Sequence, residues 1–154
     1  MATAIAFDGI SHAYGAHVAL RDITFSVEAG HFHALLGPNG SGKTTLFRIL
    51  TTLMPPARGT CHVMGASVAT QPHDVRQRLG IVFQEPALDA QLTVSESLRF
   101  HAALYRVPAA AAEQRIADLG RRLQIADRMG DRIASLSGGL KRRVDLVRSL
   151  LHHP

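Results

Sequence analysis

Residues 37–45 have the types and spacing of an anion-binding loop, because they fit the pattern G-x-x-x-x-G-K-[ST]. The glycines allow the backbone to curl so that successive N–H groups point inward and form a nest for phosphates. Lys43 is then placed to reach the terminal phosphates, and the Thr44 hydroxyl to contact a Mg²⁺ that bridges the same oxygens. The residues predicted to contact a polyphosphate are Gly37, Pro38, Asn39, Gly40, Ser41, Gly42, Lys43, Thr44 and Thr45.

Such a loop requires a strand before it and a helix after it, and the sequence predicts both. His31 to Leu36 is a short, largely apolar run that predicts a strand. After the loop, apolar residues recur at helical spacing until Pro55-Pro56. The N-terminus of that helix would add a partial positive charge beside the phosphates. The alternative, a glycine-rich turn that matches by chance, leaves Lys43 and Thr44 in register without a reason.

A second helix start is predicted at residues 136–139. Ser137 is in position to cap a helix, and Gly138 and Gly139 leave its first N–H groups uncovered by side chains. The alternative is an ordinary cap followed by flexible glycines. The predicted apolar face of this helix consists of Leu140, Val144, Val147 and Leu151.

Two isolated residues also carry possible chemistry. Tyr14 follows a strand-like segment, in a predicted turn; it is either a half-buried tyrosine or a face on which a purine stacks. Gln84 follows the apolar run Ile81-Val82-Phe83, which predicts a buried strand. A neutral amide at the carboxyl end of a core strand can coordinate Mg²⁺ or orient a water molecule.

The remaining patterns predict an α/β fold. Alternating apolar residues from Ala4 to Val27 indicate antiparallel strands that lead into the loop. Pro72 to Leu79 predicts a short helix, and Thr93 to Glu96 has the spacing of a capping box before a longer one. The alanine-rich stretch from Ala109 to Leu123 predicts a further helix. We therefore predict a β subdomain and phosphate-loop core over residues 1–84 and a helical subdomain over 85–154.

Composition limits the alternatives. The chain of 154 residues is 46% hydrophobic, which is enough for a core, and Cys61 is its single cysteine, so an internal disulfide is excluded. The net charge is +5, but aromatic residues make up only 5%, and no nucleic-acid partner is expected. No apolar run reaches the length needed to span a bilayer. Of the nine histidines, His31 and His33 alternate along a predicted strand without a Cys or carboxylate at ligand spacing, and His152 and His153 lie at the end of the chain. Both pairs are interpreted as structural or incidental and not as metal ligands.

Together, Tyr14, the loop 37–45, Gln84 and Leu136-Ser137-Gly138-Gly139 resemble the nucleotide-binding domain of an ABC transporter, in the family's order and over the full chain. They are similar to its adenine-stacking aromatic, Walker A loop, Q-loop glutamine and signature motif. The stretch from Val82 to Asp89 and the charges after the signature look most like exporters of the ABC-2 type. The resemblance implies an ABC ATPase, a P-loop NTPase core with an antiparallel β subdomain and an inserted helical subdomain.

The resemblance also implies a mechanism. ATP and Mg²⁺ would bind at Lys43 and Thr44, and the signature residues Leu136, Ser137, Gly138 and Gly139 of a second copy would close over them. Gln84 would sense the γ-phosphate and contact Mg²⁺, so Lys43 and Gln84 are the candidate catalytic residues. The implied partners are a second nucleotide-binding domain, in a homodimer, and a membrane permease subunit. The implied location is the cytoplasmic face of the membrane.

The sequence departs from the family at two places. Leu140 stands where the family usually has glutamine. The family also continues past the signature helix into the Walker B aspartate, the catalytic glutamate and a switch histidine, which have no counterpart before Pro154. We therefore expect the 154 residues to be an N-terminal fragment, inactive alone, of an exporter ATPase. The alternatives are a soluble ABC ATPase that acts on nucleic acid or the ribosome, and a truncated product that only binds nucleotide.

Overall fold

The computed structural model describes residues 2–154 and divides the chain into two compact units, Met1–Leu79 and Gly80–Pro154. The first unit contains a four-stranded sheet, two short helices and residues 37–45, the predicted phosphate loop. The second contains three helices and two 3₁₀ turns. The predicted phosphate loop therefore lies in one unit, and the predicted signature motif in the other.

The sheet of the first unit is antiparallel, and its strands lie in the order β2 (His17–Glu28), β1 (Thr3–Tyr14), β3 (Arg58–Val63) and β4 (Ala66–Ser67). On the central strand, Phe7 lies opposite Phe25 of one neighbour and Cys61 of the other. β1 and β2 form a hairpin that turns at Gly15 and Ala16, so Tyr14 is the last residue of β1 and not a turn residue as predicted.

One face of this sheet packs on the helix that follows the phosphate loop. That helix is α1 (Lys43–Leu50), and Leu46, Ile49 and Leu50 are its buried apolar residues. α2 (Pro72–Gln77) contributes the fully buried Val75 to the same core. Cys61 is buried in this core, and burial raises its thiol pKa to about 12, which makes it a structural cysteine.

Two strands predicted from sequence do not form. Residues 31–36 have no strand hydrogen bonds, and Phe32 and Leu36 are 97% and 88% exposed. Residues 81–83 are likewise irregular, and Phe83 is exposed. The physical reason is that a strand is stable only beside a hydrogen-bonded neighbour, and no described strand pairs with either segment.

The second unit is built from α3 (Val94–Leu104), α4 (Ala109–Arg122) and α5 (Gly138–Leu150). The predicted capping box of α3 is present: the Thr93 side chain accepts from the Glu96 N–H, and the Glu96 carboxylate accepts from the Thr93 N–H at 2.8 Å. Short 3₁₀ turns at Ala126–Arg128 and Ile133–Ser135 lead into α5.

The core of the second unit joins the apolar faces of these three helices. As predicted, Val144, Val147 and Leu151 are fully buried, and Leu140 packs against the same cluster. The cluster also contains Val94, Leu98, Ala102, Ala112, Ile116, Ile125, Ile133 and Leu136. Across residues 2–154, no helix combines the length and the apolar character that crossing a bilayer requires.

Candidate functional site

The phosphate loop meets the sheet at a glycine where any side chain would clash with backbone. Gly42 has a φ of +87°, and a Cβ added there would lie 2.3 Å from the carbonyl oxygen of Ala19 in β2. Gly40 is also left-handed, with a φ of +82°. The backbone of the loop therefore has the curled path that a phosphate nest requires.

Lys43 lies across the mouth of this loop. Its Nζ donates to the carbonyl oxygens of Gly37 at 2.6 Å and Pro38 at 2.7 Å, and lies 3.3 Å from Ser41 Oγ. All three of these contacts come from the segment predicted to surround a phosphate. The ammonium is therefore the positive charge of the loop and is oriented by the loop itself.

The start of α1 supplies further donors beside Lys43. Gly42 is its N-cap, no side chain caps it, and no acidic residue lies in its first turn. The first N–H groups of a helix have no partner within the helix and attract anions. Thr45 is buried, whereas the Thr44 side chain is exposed and so accessible to an ion.

Residues 2–154 contain no cluster of three or more His, Cys, Asp or Glu side chains that could hold a metal. Mg²⁺ commonly binds through one or two protein oxygens together with water and substrate phosphates. The exposed Thr44 hydroxyl beside the phosphate nest fits that donor set. A metal cage made only of protein ligands is not what this part of the chain provides.

Tyr14 lies beside the same helix. Its hydroxyl donates to Met54 Sδ at 3.4 Å, and its side chain is 45% exposed. A hydrogen bond from Thr45 and the nearby Arg48 guanidinium lower the pKa of the phenol. The structure thus brings Tyr14 together with the predicted phosphate loop, with part of its ring accessible to a ligand.

An apolar groove of about 380 Å³ also lies in the first unit. One wall is formed by the sheet, including Phe7 and Phe25, and another by Leu46 and Leu50 of α1. His33 and Leu35, from the segment that precedes the phosphate loop, line the remaining side. The groove is therefore the open apolar surface left beside the unpaired segment 31–36.

The other predicted site residues lie in the second unit. Gln84 is exposed in an irregular segment, and the neighbouring Phe83 carbonyl accepts from Arg142 of α5. Ser137 is the N-cap of α5, and its Oγ accepts from the Leu140 N–H at 3.3 Å, as predicted. Leu136 is buried and anchors this start in the core.

The glycines of the second helix start differ from Gly42. Gly138 and Gly139 are exposed, have no left-handed φ, and a Cβ added to either would meet nothing within 4 Å. Nothing within the described chain therefore requires glycine at these positions. They leave a smooth, uncovered backbone that a group from outside the chain could approach closely.

One group of charged residues, on α5, was not predicted from the sequence. Asp145 is fully buried among the apolar residues of the core, with Arg142 and Arg148 one helical turn away on either side. The signal was available, because an aspartate between Val144 and Val147 interrupts the predicted apolar face. A buried carboxylate flanked by arginines at i,i+3 spacing predicts an ion pair.

Comparison with known proteins places these features in a family. Residues 20–154 match the family described as ABC transporter. The daunorubicin resistance ATP-binding protein DrrA3 of Streptomyces coeruleorubidus is 39% identical over 152 residues, which is 99% of this chain and 48% of that protein. The Nod factor export ATP-binding protein I of Rhizobium johnstonii is 36% identical, over 98% of this chain and 49% of that protein. The chain thus spans about half the length of these relatives.

Solved structures confirm the fold class. A structure described as the ATP-binding subunit of an ABC transporter has a TM-score of 0.90 and 32% identity, covering 98% of this chain and 63% of that one. CbiO1 of Clostridium perfringens, described as part of the ABC transporter complex cbiONQ, has a TM-score of 0.87 and 25% identity over all of this chain and 63% of its own. The chain therefore belongs to the ABC transporter family, with the fold of its ATP-binding subunits.

Proposed function

We propose that the chain binds MgATP at residues 37–45 for an ABC exporter. The observation that carries this proposal is Lys43, whose ammonium lies across a glycine loop at the uncapped start of α1. The loop N–H groups and Lys43 bind the β- and γ-phosphates. The purine stacks on the exposed part of Tyr14, next to the same helix.

Thr44 and Gln84 are the proposed protein contacts of Mg²⁺. The Thr44 hydroxyl is exposed beside the nest, and the Gln84 side chain is exposed in its own unit. When bound, Mg²⁺ neutralises charge that develops on the phosphate oxygens during phosphoryl transfer. Lys43 holds the phosphates in place, and Gln84 orients the water or senses the γ-phosphate.

We further propose that two copies pair head to tail. The start of α5 in one copy then closes over the nucleotide bound at Lys43 of the other. Gly138 and Gly139 support this, because no steric contact or left-handed φ among the described residues requires glycine at either position. Two helix starts directed at one γ-phosphate from opposite sides stabilise its charge better than one.

The names of two relatives support export as the purpose of ATP use, since one is a drug-resistance and the other a Nod factor export protein. The name of a third neighbour places it in a transporter complex. We propose that this chain likewise works at the cytoplasmic face of a membrane, with a permease subunit as partner. Residues 85–95, after Gln84, would contact that subunit and transmit the movement.

Complementation between two variants tests the head-to-tail site in the intact protein. Lys43→Ala removes the positive charge that binds the phosphates, and Gly139→Glu places a carboxylate at the second helix start. Each variant alone should abolish ATP-driven pairing, which is measured by fluorescence transfer between labelled copies. An equimolar mixture should regain it, because one of its two composite sites is intact. Gly130→Glu is the matched control, since Gly130 also has open space around it.

Two results would overturn the proposal. If the Lys43→Ala variant bound MgATP as tightly as the parent in calorimetry, residues 37–45 would not be the nucleotide site. If the mixture of variants failed to pair while the Gly130→Glu control paired normally, the two helix starts would not act across copies.

A further inference from the structure

The core of the second unit contains a charge that its packing does not require. Asp145 is fully buried, and its Oδ1 accepts from Arg148 Nη2 at 2.6 Å. Arg142 Nη1 approaches the other carboxylate oxygen at 3.9 Å. Burial of a carboxylate is costly unless it is paired, and an apolar residue of similar volume would often be at least as stable there. Stability alone therefore does not explain why a carboxylate is buried at Asp145.

Both arginines also bind the segment around Gln84. Arg142 Nη1 donates to the carbonyl oxygen of Phe83, and Arg148 Nη1 donates to that of Ala87. Residues 80–89 form no helix or strand, so regular backbone hydrogen bonding does not hold this segment. The two arginine contacts thus fix the backbone on both sides of Gln84 to α5.

We propose that Asp145 is a positioning residue that, with Arg142 and Arg148, fixes the Gln84 segment to the helix that begins at Ser137. We call these three residues the Asp145 bracket. The proposal rests on the proposed function, in which Gln84 and the Ser137 helix start both act at a γ-phosphate. With the bracket in place, a displacement of Gln84 by nucleotide moves α5 as well.

The chemistry of the bracket depends on guanidinium groups. Each arginine must reach a carboxylate and a backbone carbonyl at once, and the planar fork of arginine allows this. A lysine keeps the charge but presents a single ammonium on a flexible stem. Arg148→Lys therefore keeps the positive charge but loses the simultaneous contact with the Asp145 carboxylate and the Ala87 carbonyl. Asp145→Asn removes the negative charge and keeps one acceptor oxygen.

A nucleotide-free distance measurement tests the bracket. Spin labels on cysteines introduced at Glu85 and Leu150, both exposed, report the distance between the Gln84 segment and α5 in the intact protein. Cys61 stays unlabelled because it is buried. We expect Asp145→Asn and Arg148→Lys to broaden the distance distribution. Asp118→Asn, which breaks the exposed i,i+3 pair with Arg121 on α4, should leave it unchanged.

A kinetic measurement tests the consequence for the reaction. In the intact protein, the same two variants should lower kcat for ATP hydrolysis about tenfold, the usual scale of coupling between sites, and leave KM for ATP unchanged. A purely structural role would instead lower the fraction of active protein, and kcat per nucleotide-binding site would not fall. If the Asp145→Asn variant does not fold, the Arg142→Lys variant takes its place, because Arg142→Lys keeps the negative charge at Asp145 and the positive charge beside it.

An unchanged distance distribution in Arg148→Lys would overturn the bracket, and so would an unchanged kcat per binding site. If the parent protein failed to bind ATP, the proposed function would fail. The distance measurement would still test the bracket in that case, because it needs no nucleotide.

Discussion

The glycines at the two helix starts differ in whether the fold of the chain requires them. At Gly42 the requirement comes from within the chain, from a left-handed φ and the nearby carbonyl of Ala19. At Gly139 the surroundings are open and the φ is ordinary for any residue. The structure therefore distinguishes a glycine that the fold requires from one that it does not.

We expect Gly42→Ala to lower the free energy of unfolding by about 2 kcal/mol or more, because alanine is strained at positive φ and its Cβ meets a backbone oxygen. Gly139→Ala should change it by less than about 0.5 kcal/mol, as an exposed substitution without a steric conflict. Chemical denaturation monitored by circular dichroism compares the two. Equal losses in both variants would contradict the distinction.

His101 makes the second unit sensitive to acid. Its ring lies 4.8 Å from Tyr105, and burial, with Arg148 and His152 nearby, lowers its pKa from 6.5 to about 4. Between these values the unfolded chain binds a proton that the folded protein does not, so stability falls as the pH drops from 6.5 towards 4. Above pH 6.5 this residue makes no pH-dependent contribution.

The melting temperature between pH 4 and 7 tests this directly. His101→Phe should flatten the pH dependence in that window, because the group that titrates is gone while an aromatic ring is kept. His73→Gln, at an exposed histidine on α2, should keep the dependence of the parent. A parent and a His101→Phe variant with the same slope would contradict the assignment to His101.

At the scale of elements, the N-cap of α3 is the clearest single contribution to stability. The Thr93 hydroxyl oxygen accepts from the Glu96 N–H at 3.3 Å, and the Glu96 carboxylate accepts from the Thr93 N–H at 2.8 Å. Thr93→Ala should lower the free energy of unfolding by about 1 kcal/mol, the usual value of a lost N-cap. Thr93→Ser keeps the hydroxyl and should restore most of this loss in the same denaturation assay. If serine destabilised as much as alanine, the cap would not be the cause.

Helices were predictable from the sequence because their hydrogen bonds and caps are local. Both the Thr93 capping box and the Ser137 N-cap formed as their spacing predicts. The segments 31–36 and 81–83 have the composition of strands, but strand formation depends on a neighbour that composition does not reveal. The antiparallel strands formed because a tight turn at Gly15 brings β1 and β2 together.

The candidate site divides in the same way. The phosphate loop could be predicted because its chemistry is contained in one continuous stretch, residues 37–45. The Asp145 bracket was missed because its contacts join α5 to residues 83–87, far away in sequence. Such contacts become visible only when the fold is known.

At the scale of the whole molecule, the exposed apolar segment before the phosphate loop should cause association. Phe32 and Leu36 are almost fully exposed, and backbone groups of residues 31–36 are unpaired in the described sheet. We expect the 154-residue chain to elute as oligomers in size-exclusion chromatography with light scattering. Replacing both residues by serine should increase the monomer fraction, whereas Met64→Ser, at an exposed turn, should not. A monodisperse parent would contradict this expectation.

We also expect the 154-residue chain alone to bind MgATP without measurable turnover. The phosphate loop supplies charge and donors, but Gln84, the residue proposed to orient the attacking water, is a neutral amide that cannot take up its proton. Phosphate release measured with and without Lys43→Ala tests this. Steady release that the variant abolishes would show that the chain is an ATPase on its own.

The contacts of Lys43 within its own loop limit which anions can bind there with useful affinity. The Lys43 ammonium already contacts three oxygens of its own loop. An anion that binds Lys43 must replace these contacts, so its net gain in free energy is that of its own contacts minus that of the contacts that Lys43 gives up. A lone inorganic phosphate competes poorly on these terms, whereas a triphosphate also engages the helix start and several N–H groups at once. Selectivity for long phosphate chains would then come from these additional contacts, because the free-energy cost of breaking the Lys43 bonds is the same for both anions.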